Sequence, residues 1–254
     1  MPLAQVALEI LSHFAPPGDQ EICVGEFYEC YDILLSSNAC PLSEQWNVAK
    51  TCITPGALAA NSIITRQHLN NASNQVEPNW PAVYLLAMVW GFGSVGDTPA
   101  KDGPAKLFVS TQTPGAAERI IRTANLVLGG NLQDAFGGLC EAAGANKLRQ
   151  IGSSFGTKYL YAVGLRNSAD ANPKPLVFDA RVKKSLQALP GGPPAWLPMN
   201  QPNHYHDYCA CMEESADILG DVWTAYNLEQ LLFEHNGGFC LGETFNRTKQ
   251  TVLQ

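Results

Sequence analysis

Apolar residues recur along this chain at helical spacing, in runs divided by glycine and proline. The first run predicts a helix over Leu3–Phe14, stopped by Pro16, Pro17 and Gly18. A second is predicted over Glu26–Ser36. From Pro41 to Trp80 the pattern weakens into turn residues, with a helical stretch over Gly56–Asn70. Trp80–Trp90 predicts a buried helix, because Val83, Leu86, Ala87 and Trp90 share a face, and Gly91–Gly103 predicts a loop. Thr113-Pro114 marks the next start, a hydroxyl cap followed by proline at the first helical position. That helix runs to about Leu128 on Ile120, Ile121, Ala124 and Val127, and Gly129-Gly130 ends it.

The remaining pattern is also helical. Asn131–Ala143 turns Leu132, Phe136, Leu139 and Cys140 inward. Ala145–Ile151 reads as a short helix, Gly152–Gly156 as a tight turn and Thr157–Val163 as the partner helix. Asp179 caps a helix over Ala180–Leu189, and Pro190–Pro202 is a linker. Helices over His204–Gly220 and Asn227–His235 follow. Strand alternation is scarce and no repeat occurs, so the predicted fold is mainly α.

With 254 residues, 46% hydrophobic and 15% charged, the chain supports one sizeable core or two small ones. Its longest apolar run, near Val83–Val89, is too short to span a bilayer. Met1-Pro2-Leu3-Ala4 does not read as a signal peptide. The eight scattered cysteines (23, 30, 40, 52, 140, 209, 211 and 240) are then expected as reduced thiols of a cytoplasmic protein.

The net charge of −7 taken alone argues against a nucleic-acid partner, but its distribution reverses the argument. Residues 101–190 hold twelve Lys and Arg against six Asp and Glu, a net of +6. Residues 1–100 hold two against nine, and residues 191–254 two against eight. The expected organisation is an N-terminal helical region (1–100), a basic helix-hairpin-helix core (101–190) and C-terminal helices packed on that core (191–254). A basic local field suits a polyanionic substrate.

Within the basic segment, Phe155-Gly156-Thr157-Lys158 precedes Asp179 by about twenty residues. The predicted glycine turn at 152–156 presents backbone N–H groups and a helix dipole to a phosphate, without reading sequence. An ordinary helical corner has the same spacing. Lys158 falls in the first predicted turn of its helix, where the dipole opposes a cation, and covalent catalysis needs a neutral amine. Asp179 follows Leu176-Val177-Phe178 and opens a helix, so its carboxylate accepts backbone N–H bonds. An anion there stabilises positive charge developing at a sugar carbon as a base departs.

The run LRQIGSSFGTKYLYAVG…PLVFDARVKKSL resembles the hairpin and aspartate motif of helix-hairpin-helix DNA glycosylases. It is most similar to the bacterial 8-oxoguanine glycosylase (OGG-like) branch. The matching residues are Gly156, Thr157, Lys158, Asp179 and Val182, and the resemblance covers roughly 114–190. It implies an OGG-like fold, with Lys158 as the amine that attacks C1′ and displaces a damaged guanine. Asp179 would support charge at C1′, and the resulting Schiff base would permit β-elimination of the strand. The partner implied is double-stranded DNA with the modified guanine flipped out. Gly152, Ser154, Gly156 and Thr157 would contact its backbone, and Phe155, Trp196 and Phe239 would line the base pocket. Where the family turn reads Leu-Pro-Gly-Val-Gly, this chain has Gly152-Ser153-Ser154-Phe155-Gly156. The Ser154 side chain there either holds a phosphate off the backbone or binds it through its hydroxyl.

His204-Tyr205-His206-Asp207-Tyr208-Cys209-Ala210-Cys211 invites a metal reading. On a helix, however, Tyr205, Cys209, Met212 and Ala216 form an inward stripe that leaves His204 and Cys211 on different faces. No metal is expected, nor an iron–sulfur or nucleotide cofactor, because the corresponding motifs are absent. Two alternatives remain: a non-catalytic helix-hairpin-helix binding module, and an accessory protein of anti-phage defence. The latter would act on a deazaguanine-modified substrate, with other proteins of a defence operon as partners.

Overall fold

A computed structural model describes residues 2–17, 25–26, 49, 63–92, 103–166, 172–191, 193–195, 197–199 and 201–238. The chain divides into two compact units, Glu21–Val177 and Met1–Gln20 joined with Phe178–Gln254. The boundary at 177/178 falls inside the basic segment 101–190.

The Glu21–Val177 unit opens with a two-residue antiparallel pair, β1 (Gly25–Glu26) and β2 (Ile63–Ile64), in which Gly25 faces Ile64. Helices α2 (Arg66–Ser73), α3 (Trp80–Phe92), α4 (Gly103–Thr111), α5 (Ala116–Leu128), α6 (Leu132–Cys140) and α7 (Ser153–Gly164) follow. Helix α3 is the hub and packs on α2, α4, α5 and α7. Every residue from Trp80 to Trp90 that has a side chain of appreciable size is buried. The buried helix predicted here is present, and its burial extends beyond Val83, Leu86, Ala87 and Trp90 to the whole circumference, so no polar face remains to preserve.

The polar atoms taken into this core are paired, as burial requires. Tyr84 and Tyr159 meet edge to face, with ring centroids 5.6 Å apart. The Tyr84 hydroxyl donates to Ser110 Oγ at 2.7 Å, and the Tyr159 hydroxyl to the Ile120 carbonyl at 3.0 Å. Burial pushes both phenols well above the ordinary tyrosine value. Trp90 and Tyr161 stack at 5.9 Å, and the Arg66 guanidinium lies 5.6 and 5.2 Å from the two ring centroids.

Several predicted boundaries move. Gly25–Glu26 and Ile63–Ile64 are strand where helices were expected to begin or run, and the rest of 27–36 and 56–62 lies outside the described residues. Helix α3 continues through Gly91 and Phe92, and α4 occupies a segment for which no helix was predicted. The Thr113 cap fails: α5 starts at Ala116 behind Gly115, whose φ of +66° is left-handed. The Thr113 hydroxyl instead accepts the Arg149 N–H at 2.9 Å.

The second unit contains α1 (Gln5–Leu11), α8 (Ala180–Ala188), α9 (Pro202–Leu219) and α10 (Ala225–His235). Helix α10 packs on α8 and α9, and α1 packs on α9. Along α9 the predicted inward stripe of Tyr205, Cys209, Met212 and Ala216 is buried, joined by Tyr208 and Cys211. Buried hydroxyls tie the helices together. Ser215 Oγ accepts the Leu3 N–H at 2.9 Å, and Ser185 Oγ donates to the Leu232 carbonyl and accepts the Gly237 N–H. Thr224 and Asn227 form a reciprocal capping box that starts α10 two residues earlier than predicted. Among the described residues, Cys140, Cys209 and Cys211 are buried thiols outside any disulfide. None of the described helices is long and apolar enough to cross a membrane.

Phe14 meets His235 edge-on at 4.8 Å, and burial holds the His235 imidazole below its ordinary 6.5. Above that pH the ring is neutral in both folded and unfolded chains. As the pH falls below it, the unfolded chain takes the proton first and stability drops until the folded value is passed. His235→Phe keeps a ring against Phe14 and removes this component. The fall in thermal midpoint between pH 7.5 and 5 should be smaller in the variant, and equal falls would refute the assignment.

Candidate active site

Helix α7 begins earlier than the sequence suggests. Gly152 is its N-cap in extended conformation (φ −104°, ψ −171°), and the first intrahelical bond runs from Gly156 N to the Gly152 carbonyl at 2.8 Å. Residues 153–156 therefore form the first helical turn rather than a tight turn before the helix. Lys158 becomes the sixth helical residue. The dipole effect predicted for a first-turn lysine falls off within that turn, so it does not carry over.

What surrounds Lys158 is burial. The residue is 6% exposed. Its ammonium donates to the Ser154 carbonyl at 3.3 Å and sits 5.5 Å from the centroid of the half-buried Phe155 ring. The Thr157 hydroxyl donates to the same carbonyl at 3.4 Å. Phe155, proposed for a base pocket, thus lies beside the amine, while Trp196 and Phe239 lie outside the described residues.

The four residues predicted to meet a DNA backbone separate. Gly152 is exposed and Ser154 half-buried at the start of α7. Gly156 and Thr157 are buried, and Gly156 spends its N–H inside the helix. The role of Gly156 in this structure is packing. A Cβ built there would stand 2.3 Å from Cys140 Sγ on α6, so only glycine allows α6 and α7 to approach this closely. Burial pushes the Cys140 thiol up to about 12, against the pull of nearby Lys147.

The short helix predicted at 145–151 is absent. Residues 141–152 form a series of turns held from outside. The Arg119 guanidinium donates to the Ala145 and Lys147 carbonyls, each at 3.1 Å, and to Pro114 at 3.1 Å. Arg122 donates to Asn146 Oδ1 at 3.1 Å, and Asn146 N donates to the Gly138 carbonyl at 2.9 Å. The Lys147 ammonium bridges the carbonyls of Cys140, at the end of α6, and Ile151, just before α7. Burial holds that ammonium below the ordinary lysine value. These guanidinium and ammonium donors satisfy carbonyls that the turns leave without a helical partner. Sequence reasoning missed Arg119, Arg122 and Lys147 as the supports of the hairpin. The only signal was an excess of cations near a turn.

In the second unit Asp179 caps α8 as predicted. Its Oδ1 accepts the Arg181 N–H at 2.9 Å and the Val182 N–H at 3.1 Å. Buried Phe178 packs edge-on against Tyr208 at 5.1 Å. The Tyr208 phenol is pushed well above its ordinary value by burial first, then by the charges of Glu229, Cys209 and Asp179. Glu229 is a fully buried carboxylate on α10 that its sequence setting did not distinguish. Arg181, Lys183 and Lys184 are exposed along α8.

The described elements make a mainly helical fold, consistent with an OGG-like one. The family model described as "Putative 8-oxoguanine DNA glycosylase OGG-like protein" matches residues 42–233, and the chain belongs to that family. No curated protein and no solved structure matches the chain.

Two substitutions test these contacts. Gly156→Ala should cost about 1–3 kcal/mol through overpacking. Adding Cys140→Ala, which removes the opposing sulfur, should restore part of that loss in denaturant melts, whereas strictly additive losses would refute the contact. Asp179→Ala should cost about 0.5–2 kcal/mol as a lost helix cap, measured in the same melts. An unchanged midpoint would mean that the two N–H bonds contribute nothing to α8.

Proposed function

We propose that this protein is a DNA glycosylase that removes a modified guanine through a Schiff base on Lys158. The observation that carries the reading is the enclosed lysine, 6% exposed on a helix of a chain belonging to the OGG-like family. A lysine amine is the nucleophile that Schiff-base chemistry requires. Its nitrogen lone pair attacks C1′, and the base leaves with the electrons of the glycosidic bond. Opening of the sugar ring gives the imine. Loss of a C2′ proton then expels the 3′-phosphate, which nicks the strand as a lyase would.

Asp179 is proposed as the anion that offsets positive charge at C1′ while the base departs. Its two backbone N–H bonds fix the carboxylate at the start of α8. The N–H groups of Ser153–Phe155, which precede the first intrahelical bond of α7, are suited to a DNA phosphate. Gly152 and Ser154 flank them. Exposed Arg181, Lys183 and Lys184 would add charge that positions the duplex without reading its sequence. The target nucleotide must leave the base stack to reach an amine enclosed in this way.

Borohydride trapping on a duplex containing 8-oxoguanine tests the reading. Wild-type protein should form a covalent adduct and Lys158→Gln none, with both variants folded by circular dichroism. A folded wild type that neither traps nor releases the base would sink the assignment. A DNA complex formed without adduct would identify a binding module instead.

A further inference from the structure

Gly91, near the end of α3, stands where the Lys158 side chain passes. A Cβ built on Gly91 would lie 2.4 Å from Lys158 Cδ, 3.1 Å from Cε and 3.6 Å from Phe155 Cδ1. Nonbonded carbon atoms settle at about 3.5–4.0 Å, so the side chain and the added methyl group cannot both remain in place. The glycine belongs to the helical segment Trp80–Phe92, where alanine is ordinarily the better residue by about 1 kcal/mol. Helix propensity therefore gives no reason for glycine at this position, whereas the path of the lysine does.

We propose that Gly91 is a positioning residue: its missing side chain is the channel that lays the Lys158 stem along α3 and sets the amine beside Phe155 and the Ser154 carbonyl. The neighbour that would have to yield is the outer part of a flexible side chain, not backbone. A methyl group at 91 should therefore leave the fold intact and move the amine. This differs from Gly156, where the obstacle is a short buried cysteine and the cost falls on stability. The inference rests on the reading of Lys158 as nucleophile for its catalytic consequence, but not for the geometry itself.

The experiment compares wild type, Gly91→Ala and Lys158→Gln. The first readout is the rate of reductive methylation of Lys158 by formaldehyde and cyanoborohydride, followed by peptide mass spectrometry. Gly91→Ala should hold or raise the thermal midpoint and speed Lys158 labelling, because the displaced amine leaves its enclosed site. An unchanged labelling rate overturns the proposal whatever the activity.

The second readout is single-turnover borohydride trapping on the 8-oxoguanine duplex across pH. Gly91→Ala should trap about ten-fold or more slowly, since small misplacement of a reacting group costs up to about a hundred-fold. Its pH–rate profile should be displaced, with duplex affinity unchanged. Trapping at the wild-type rate with the wild-type profile overturns the catalytic part. If wild-type protein does not trap at all, the reading of Lys158 fails, and the labelling comparison still decides whether Gly91 sets the lysine.

Discussion

The enclosure of α7 is the constraint on which the Glu21–Val177 unit depends. From Gly156 to Gly164 every residue of this helix is buried, so its neighbours must close around it on all sides. Two glycines make that closure possible at the level of single atoms: Gly156 admits Cys140 from α6, and Gly91 admits the Lys158 stem against α3. Tyr159 fills the space toward Tyr84 and returns its hydroxyl to the Ile120 carbonyl on α5, so the contact costs no unpaired donor. The lysine is thus part of the packing around the hub.

The segment before α7 is built on a different principle. Residues 141–152 anchor Leu148 and Ile151 in the core and are otherwise held by cations, with Arg119, Arg122 and Lys147 each donating to backbone or amide oxygens. Charge-assisted bonds of this kind are stronger and more directional than neutral ones. They set the chain direction entering α7 without a helix to carry it. Part of the positive charge of the middle segment is therefore structural.

The cap at Asp179 was legible because it rests on local chemistry. An aspartate after an apolar run and before a helical one caps that helix wherever it folds, and Asp179 does so through its own neighbours, Arg181 and Val182. The stripe Tyr205, Cys209, Met212 and Ala216 was legible for the same reason, since helical period places those positions on one face. Thr113 misled because its hydroxyl had two possible partners. The local one would have capped α5, but the Arg149 N–H, thirty-six residues away in sequence, donates to that hydroxyl instead. Gly152–Gly156 misled because serines and glycine suit a turn in isolation, whereas burial of the following residues favours extending the helix back to Ser153.

By itself the sequence determined the mainly helical character, the positions of most apolar faces, the cap at Asp179 and the candidate amine at Lys158. All of these follow from spacing and side-chain type within a few residues. Only the tertiary structure decided that α3 is buried all round, that 145–151 is no helix and that Gly156 serves packing. It also decided that Gly91 borders the lysine, sixty-seven residues away. Those outcomes depend on which groups from distant parts of the chain compete for the same carbonyl or the same few cubic ångströms, and hydrophobic periodicity carries no record of that competition.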